Sequence, residues 1–316
     1  MFGEIRIGGP KQLTSQNLAS LIEQRKKELN AVILAHFYQP PEIQDLADFV
    51  GDSLQLAIQA ANTDADVIVF CGVHFMAESA KILNPEKTVL LPVLQAGCPM
   101  ADMITGEQLR KWKSEHPGYA VVTYVNSSAE VKAESDICCT SANALNVVRS
   151  LPAEQPVLFV PDRNLGTWIM NQTGRDMELW PGCCPIHDQL TAEEVKEQIR
   201  RYPESVVVVH PEVPPSVAAL ADAVRSTAGM LKYVQESSAR EFIIGTEEGF
   251  FHTLKKHCPD KVFHLARTEF LCEDMKKINL EILAQALERQ EHQIEVPEDV
   301  RQRAARSLQR MLAIAP

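Results

Sequence analysis

The chain has 316 residues, of which 45% are hydrophobic and 23% charged, and its 31 basic against 42 acidic side chains leave a formal net charge of −11. An acidic balance argues against a nucleic-acid surface, which needs a clustered basic footprint, and no apolar run approaches the roughly 18–20 residues of a membrane span. The opening MFGEIRIGGPKQ has no apolar core behind a basic start, so a cytoplasmic setting is expected, with neither nucleic acid nor membrane as partner.

Taken in order, the chain alternates amphipathic stretches with short β-branched runs. A helix is expected over Leu18–Leu29, then strands at Ala31–Phe37, Val67–Val73 and Thr88–Val93. A helix over Gly106–Ser114 precedes strands at Ala120–Val125 and Pro156–Val160. A helix over Ala192–Arg201 leads to strands at Ser205–His210, Glu241–Gly245 and Lys261–Ala266, and Glu298–Leu312 reads as a last covering helix. Near-continuous Val/Ile/Leu strands suit parallel sheets buried on both faces, and such alternation implies right-handed crossovers. The expected fold class is therefore α/β.

A longer period lies above this alternation. Strands opening at Ala31, Ala120 and Ser205 each begin a strand–helix–strand series, and each series ends near a cysteine: Cys98, Cys184 and Cys272. The cysteines are spaced 184 − 98 = 86 and 272 − 184 = 88 residues apart. Side-chain identity between the series is slight, so the repeat reads as topological. It divides the chain into units 1–98, 99–184 and 185–297, with the helix in 298–316 expected against the first.

Eight cysteines without secretion features do not make a disulfide framework. Most buried thiols act as small hydrophobes. Cys184-Pro185-Ile186-His187 has zinc-compatible spacing, but no second local pair completes a finger or ribbon. No ferredoxin-type run is present either. Cys98, Cys184 and Cys272 would have to meet through the fold, either on a cubane with one iron free of protein thiolate or on zinc shared with His187. Spacing does not choose between the two.

Functional groups in parallel α/β units gather beyond the carboxyl ends of strands. Here those ends are polar: His36 and Tyr38 with Ser53 nearby; Tyr124 and Asn126, then Ser141; His210 and Glu212, then Ser226 and Thr227. Singly, each reads as a structural hydrogen bonder or helix cap. Together they place acids, bases, hydroxyls and an amide at comparable points of three units. Ser226-Thr227 suits an anion at a helix start, and His210 with Glu212 suits proton handling.

From about Ala31 to Leu280 the segments AHFYQPPEIQDLADFVGDS, CGVHFMAESAK, AGCPMADM, TYVNSSAEVKAESD, CTSANA, PDRNLG, GCCPIH, HPE, STAGMLKY, GTEEG and CEDMKKINL resemble, in order and spacing, the quinolinate synthase family. The resemblance implies three Rossmann-like α/β/α units in a pseudo-threefold triangle around a central iron–sulfur cluster. It implies one [4Fe–4S] cluster held by Cys98, Cys184 and Cys272, with Cys183 outside the ligand set. It carries substrate binding onto His36, Ser53, Tyr124, Asn126, Ser141, His210, Glu212 and Thr227, and catalysis onto Tyr38.

The reaction it implies joins iminoaspartate to dihydroxyacetone phosphate, with loss of phosphate and two waters, to give quinolinate for NAD biosynthesis. Aspartate oxidase or aspartate dehydrogenase is the expected source of the imine. Tyr38 and Glu212 are the leading proton handlers, followed by His210 and Tyr124. Some relatives carry further cysteines before the third ligand; here those positions are Ala266 and Glu269, so no thiol–disulfide switch is expected there. Two other readings are a radical enzyme of the diphthamide-synthase type and an iron–sulfur sensor. S-adenosylmethionine binding would mark the first, and the second lacks a basic docking element.

Overall fold

The computed structural model describes residues 15–316 and contains three four-stranded sheets, each wholly parallel in its pairings. The first holds β1 (Ala31–His36), β2 (Phe49–Gly51), β3 (Val67–Cys71) and β4 (Thr88–Leu90). The second holds β5 (Ala120–Tyr124), β6 (Ile137–Cys139), β7 (Val157–Val160) and β8 (Glu178–Leu179). The third holds β9 (Val206–Val209), β10 (Ala223–Val224), β11 (Glu241–Gly245) and β12 (Val262–Leu265). Their spatial orders are β2-β1-β3-β4, β6-β5-β7-β8 and β10-β9-β11-β12, which is one topology built three times. The fold is α/β, with three Rossmann-like units.

The central strands are buried along their length because helices cover both faces: β3 and β5 carry no exposed residue. All eight expected strands form. Four more, β2, β6, β8 and β10, are two or three residues long, too short for any periodicity to reveal. The four expected helices form as Ser15–Glu28, Gly106–Glu115, Ala192–Arg201 and Glu298–Leu312. Two of them start with reciprocal caps, Thr105 with Gln108 and Thr191 with Glu194.

Two segments cross between units. From Ile278 onward the chain returns to the first sheet: Leu283, Ala284 and Leu287 of helix Leu280–Arg289 share a core with Leu18, Ile22 and Ile33. The amide of Ile294 then donates to the Val89 carbonyl of β4 at 2.8 Å. The return to the first unit thus begins near Ile278, well before the expected point at 298. Helix Glu298–Leu312 touches the first unit but lies chiefly along the second. There Ser307 Oγ donates to the Lys132 carbonyl at 2.8 Å and Arg303 pairs with Glu134 at 2.6 Å. Among the described residues no helix is long and apolar enough to cross a membrane.

Candidate active site

The three units meet at one cavity of ≈ 330 Å³, and their strand ends supply its wall in matching positions. The carboxyl ends of the first strands contribute His36 and Tyr38 at β1, Tyr124 and Asn126 at β5, and His210 and Glu212 at β9. Each pair is two residues apart. The second strands contribute Ser53, Ser141 and Thr227. The loops after the fourth strands contribute Cys98, Cys184 and Cys272. All twelve residues to which the resemblance gives a role therefore line the same space, as does His187; Ser226 does not, and its hydroxyl accepts from the Gly229 amide as a helix cap.

A gapless repeat underlies this convergence. Residues 36–53, 124–141 and 210–227 superpose in number, each spanning 18 positions, and each carries an aspartate at its thirteenth: Asp48, Asp136 and Asp222. These aspartates precede the second strand and reach across to the first. Their carboxylates accept from the amides of Ile33, Val121 and Val207, each at 2.8 Å and 15 residues distant. The same bond in each unit sets the register of first strand against second, and with it the placing of the wall residues.

Backbone contacts decide the histidine tautomers. The Tyr38 amide donates to His36 Nδ1 at 3.1 Å, and the Glu212 amide to His210 Nδ1 at 3.4 Å. A nitrogen that accepts carries no proton, so in both rings Nε2 is the donor. His210 Nε2 reaches Ser141 Oγ at 3.1 Å. Burial, with His210 and Lys276 nearby, lowers His36 to about 3; burial, opposed by Glu212, lowers His210 to about 4. Both rings are neutral donors at neutral pH.

Glu212 sits at the centre of a buried network. Burial pushes its carboxyl up, but the bonds from His187 and the Tyr124 hydroxyl outweigh that and hold it below the usual carboxylate range. Tyr124 donates to Oε1 at 2.6 Å, and His187 Nδ1 lies 2.8 Å from Oε2. His187 Nε2 is 2.9 Å from Thr246 Oγ1, which is 2.5 Å from the Tyr38 hydroxyl. With Nδ1 donating to Glu212, Thr246 donates to Nε2 and Tyr38 to Thr246. Every hydroxyl then uses its single proton, and a continuous path joins Tyr38 to Glu212. Burial and the Glu212 charge raise both tyrosines well above their usual range.

The thiols fit a shared metal group. Burial pushes Cys98 up to about 12, with Cys272 adding to the shift, and Cys98 in turn adds to the rise of Cys184. Three thiols from three units that line one cavity are a donor set that an iron–sulfur cluster can take. Cys184, His187 and Glu212 also lie within 4.8 Å of one another. Both nitrogens of His187 have protein partners, Glu212 and Cys184 Sγ on one side and Thr246 on the other.

Supporting residues were harder to read from sequence. Asp162, after β7, caps helix Arg163–Thr173 by accepting from the Asn164 and Leu165 amides. Asn164 Nδ2 then donates to the Glu212 carbonyl at 3.0 Å and to Asp188 at 2.7 Å. The segment PDRNLG is thus a brace for Glu212. Thr246, after β11, occupies the same topological place. The third-strand ends were the position class to inspect.

Three parallel units that present thiols, carboxylates and neutral imidazoles to one enclosed cavity define a small-molecule enzyme of the α/β class. A family model described as quinolinate synthetase A protein matches residues 20–313. The quinolinate synthase of Desulforudis audaxviator (strain MP104C) is 55% identical over 300 residues, 95% of this chain and 99% of that protein. That of Geobacter sp. (strain M21) is 55% identical over 302 residues, 96% and 99% of the two chains. Quinolinate synthase 1 of Methanosarcina acetivorans is 51% identical over 298 residues, 94% and 98%. The chain belongs to the quinolinate synthase family.

Proposed function

We propose that the cavity condenses iminoaspartate with dihydroxyacetone phosphate to quinolinate, releasing phosphate and two waters, on one [4Fe–4S] cluster held by Cys98, Cys184 and Cys272. The observation that carries this reading is the convergence of three thiols, one from each unit, on the cavity that holds the Glu212 network. When bound, the cluster supplies an open iron as a Lewis acid for a substrate oxygen, with no change of oxidation state required.

The protein's own groups account for the rest. His36 through Nε2–H, with Ser53 and Ser141, suits substrate carboxylates; His210 orients Ser141. Thr227, at the start of helix Thr227–Glu236, suits the phosphate. Tyr124 and Asn126 flank the reacting carbons. Glu212, ionised and fully hydrogen-bonded, is the base for the proton removals that precede each elimination. Tyr38 returns protons to leaving hydroxyls. The imine comes from an aspartate oxidase or aspartate dehydrogenase, and a cytoplasmic setting would keep the eight free thiols reduced.

The test is anaerobic purification, iron and sulfide counting, and assay of quinolinate from the two substrates. A protein loaded with four irons and four sulfides that forms quinolinate supports the reading. A loaded protein that forms none sinks it.

A further inference from the structure

Apart from Thr246 and Cys272, the segments GTEEG and CEDMKK have no part in the chemistry above, yet their side chains bond to the loops that do. Glu247 lies in GTEEG after β11 and is fully buried against the cavity wall. Both its carboxylate oxygens are engaged. Oε1 accepts from the Cys272 amide at 3.2 Å and pairs with Lys276 Nζ at 2.7 Å; Oε2 accepts from the Gly249 amide at 2.7 Å. Lys276 Nζ also donates to the Tyr38 carbonyl. One buried ion pair therefore touches the backbone of the third thiol in unit three and of the tyrosine in unit one.

The space around the pair is closed. A side chain at Gly249 would meet Lys276 Nζ at 2.6 Å and the Tyr38 carbonyl at 2.7 Å, so only glycine fits. Gln39 Nε2 donates to the Met275 carbonyl at 2.7 Å, a second tie between the same two segments. The next lysine reaches another loop. Lys277 Nζ donates to the Gln95 carbonyl at 2.7 Å and to Asp274 at 2.6 Å, while Asp274 accepts from the Gly97 amide at 3.2 Å. Gly97 adjoins Cys98.

We propose that the Glu247–Lys276 ion pair is a positioning clamp that holds Cys272 and the Tyr38 loop in one geometry, with Asp274 and Lys277 tying the Cys98 loop to the same segment. Glu247 and Lys276 are positioning residues: Glu247 acts through the amides of Cys272 and Gly249, and Lys276 through the Tyr38 carbonyl. The inference rests on the ligand role proposed for Cys272, and it adds the residues that set where that thiol stands before any metal arrives.

The test reads thiol alkylation rates in the metal-free protein, mapped residue by residue by mass spectrometry. In Lys276→Met the Glu247 charge stays beside Cys272 with its counter-ion gone. Electrostatics alone would then slow Cys272, because a thiolate forms less readily beside an unpaired carboxylate. A released clamp does the opposite and speeds Cys272 by about tenfold, since thiol reactivity also follows access. Cys184 stays at its wild-type rate, and Lys276→Arg restores Cys272 to its own. The double variant Glu247→Gln/Lys276→Met, which leaves no unpaired buried charge, shows the same selective rise.

A Cys272 rate unchanged or slowed in both variants, or a rise shared equally by Cys98, Cys184 and Cys272, overturns the proposal. In the loaded enzyme Lys276→Met should lower kcat and quicken iron loss to a chelator, each also rescued by arginine. The alkylation pattern needs no metal. A wild-type chain that binds no iron would therefore sink the cluster reading and leave the clamp standing.

Discussion

At the scale of residues, Glu212 shows how burial and neighbours set a role. A carboxylate in a dry pocket ordinarily takes up a proton; here hydrogen bonds from one imidazole and one phenol keep it charged. Glu212→Gln keeps the volume and removes the base. It should lower turnover by roughly 10²–10⁴-fold at unchanged iron content, read in the quinolinate assay.

The neutral histidines make a separate prediction about pH. His36 and His210 titrate at about 3 and about 4 in the fold, against about 6.5 when unfolded. Below pH ~6.5 the unfolded chain takes protons that the folded one refuses, so stability falls as pH falls. Each ring contributes up to about 1.4 kcal/mol per pH unit until its folded pKa is reached. The melting temperature of the metal-free protein should therefore drop between pH 6.5 and 4, and less steeply in His210→Asn. A slope identical in that variant would remove His210 from the account. These residues were visible in the sequence as polar strand ends. Their tautomers were not, because the deciding bonds come from amides two residues on, in a turn whose shape only the fold supplies.

At the scale of elements, the 18-residue block is the unit that repeats. Its conserved bond is the aspartate at the second strand's start reaching the first strand's amide. A charge-assisted bond of this kind contributes about 1.5–3 kcal/mol. Asp48→Ala, Asp136→Ala and Asp222→Ala should each lower stability by an amount in that range, measured by denaturant unfolding. Similar losses are expected because the three bonds match in length and span. One near-zero value among three would show that the units are not equivalent there.

The block was present in the sequence as ADFVGDS, SDICCTS and ADAVRST, but it hid behind low identity. Only Asp and the final hydroxyl recur, and two of the three second strands look like loop. Strands of two or three residues carry no readable period, whereas Val/Ile-rich β1, β5 and β9 declared themselves by composition.

At the scale of the molecule, the site belongs to no single unit. Cys98→Ala, Cys184→Ala and Cys272→Ala should each abolish visible cluster absorbance and quinolinate formation. Cys71→Ala, Cys139→Ala and Cys258→Ala, whose thiols lie buried away from the cavity, should retain both. An iron-replete Cys98→Ala protein would reverse the ligand assignment.

The terminal helix is a second long-range tie. Ending the chain at Pro297 uncovers Ala304, Leu308 and Met311 contacts with the second unit and leaves the Lys132 carbonyl without Ser307. Limited proteolysis of that truncation should cut within the second unit while the first and third resist.

The amino-acid sequence by itself determined the α/β class, eight of the twelve strands and the family. The first two follow from local composition, and the third from motifs in order and spacing along the chain, which the sequence carries directly. Tertiary structure alone decided which nitrogen of each histidine bears the proton, and that His187 and Thr246 join Tyr38 to Glu212. It also decided that Glu247 and Lys276 bridge two units, and where the C-terminal helices lie. The tautomers turn on amides two residues on, in turns that the fold shapes; the rest depend on contacts between residues tens to hundreds of positions apart, whose closeness is set by packing three sheets against one another.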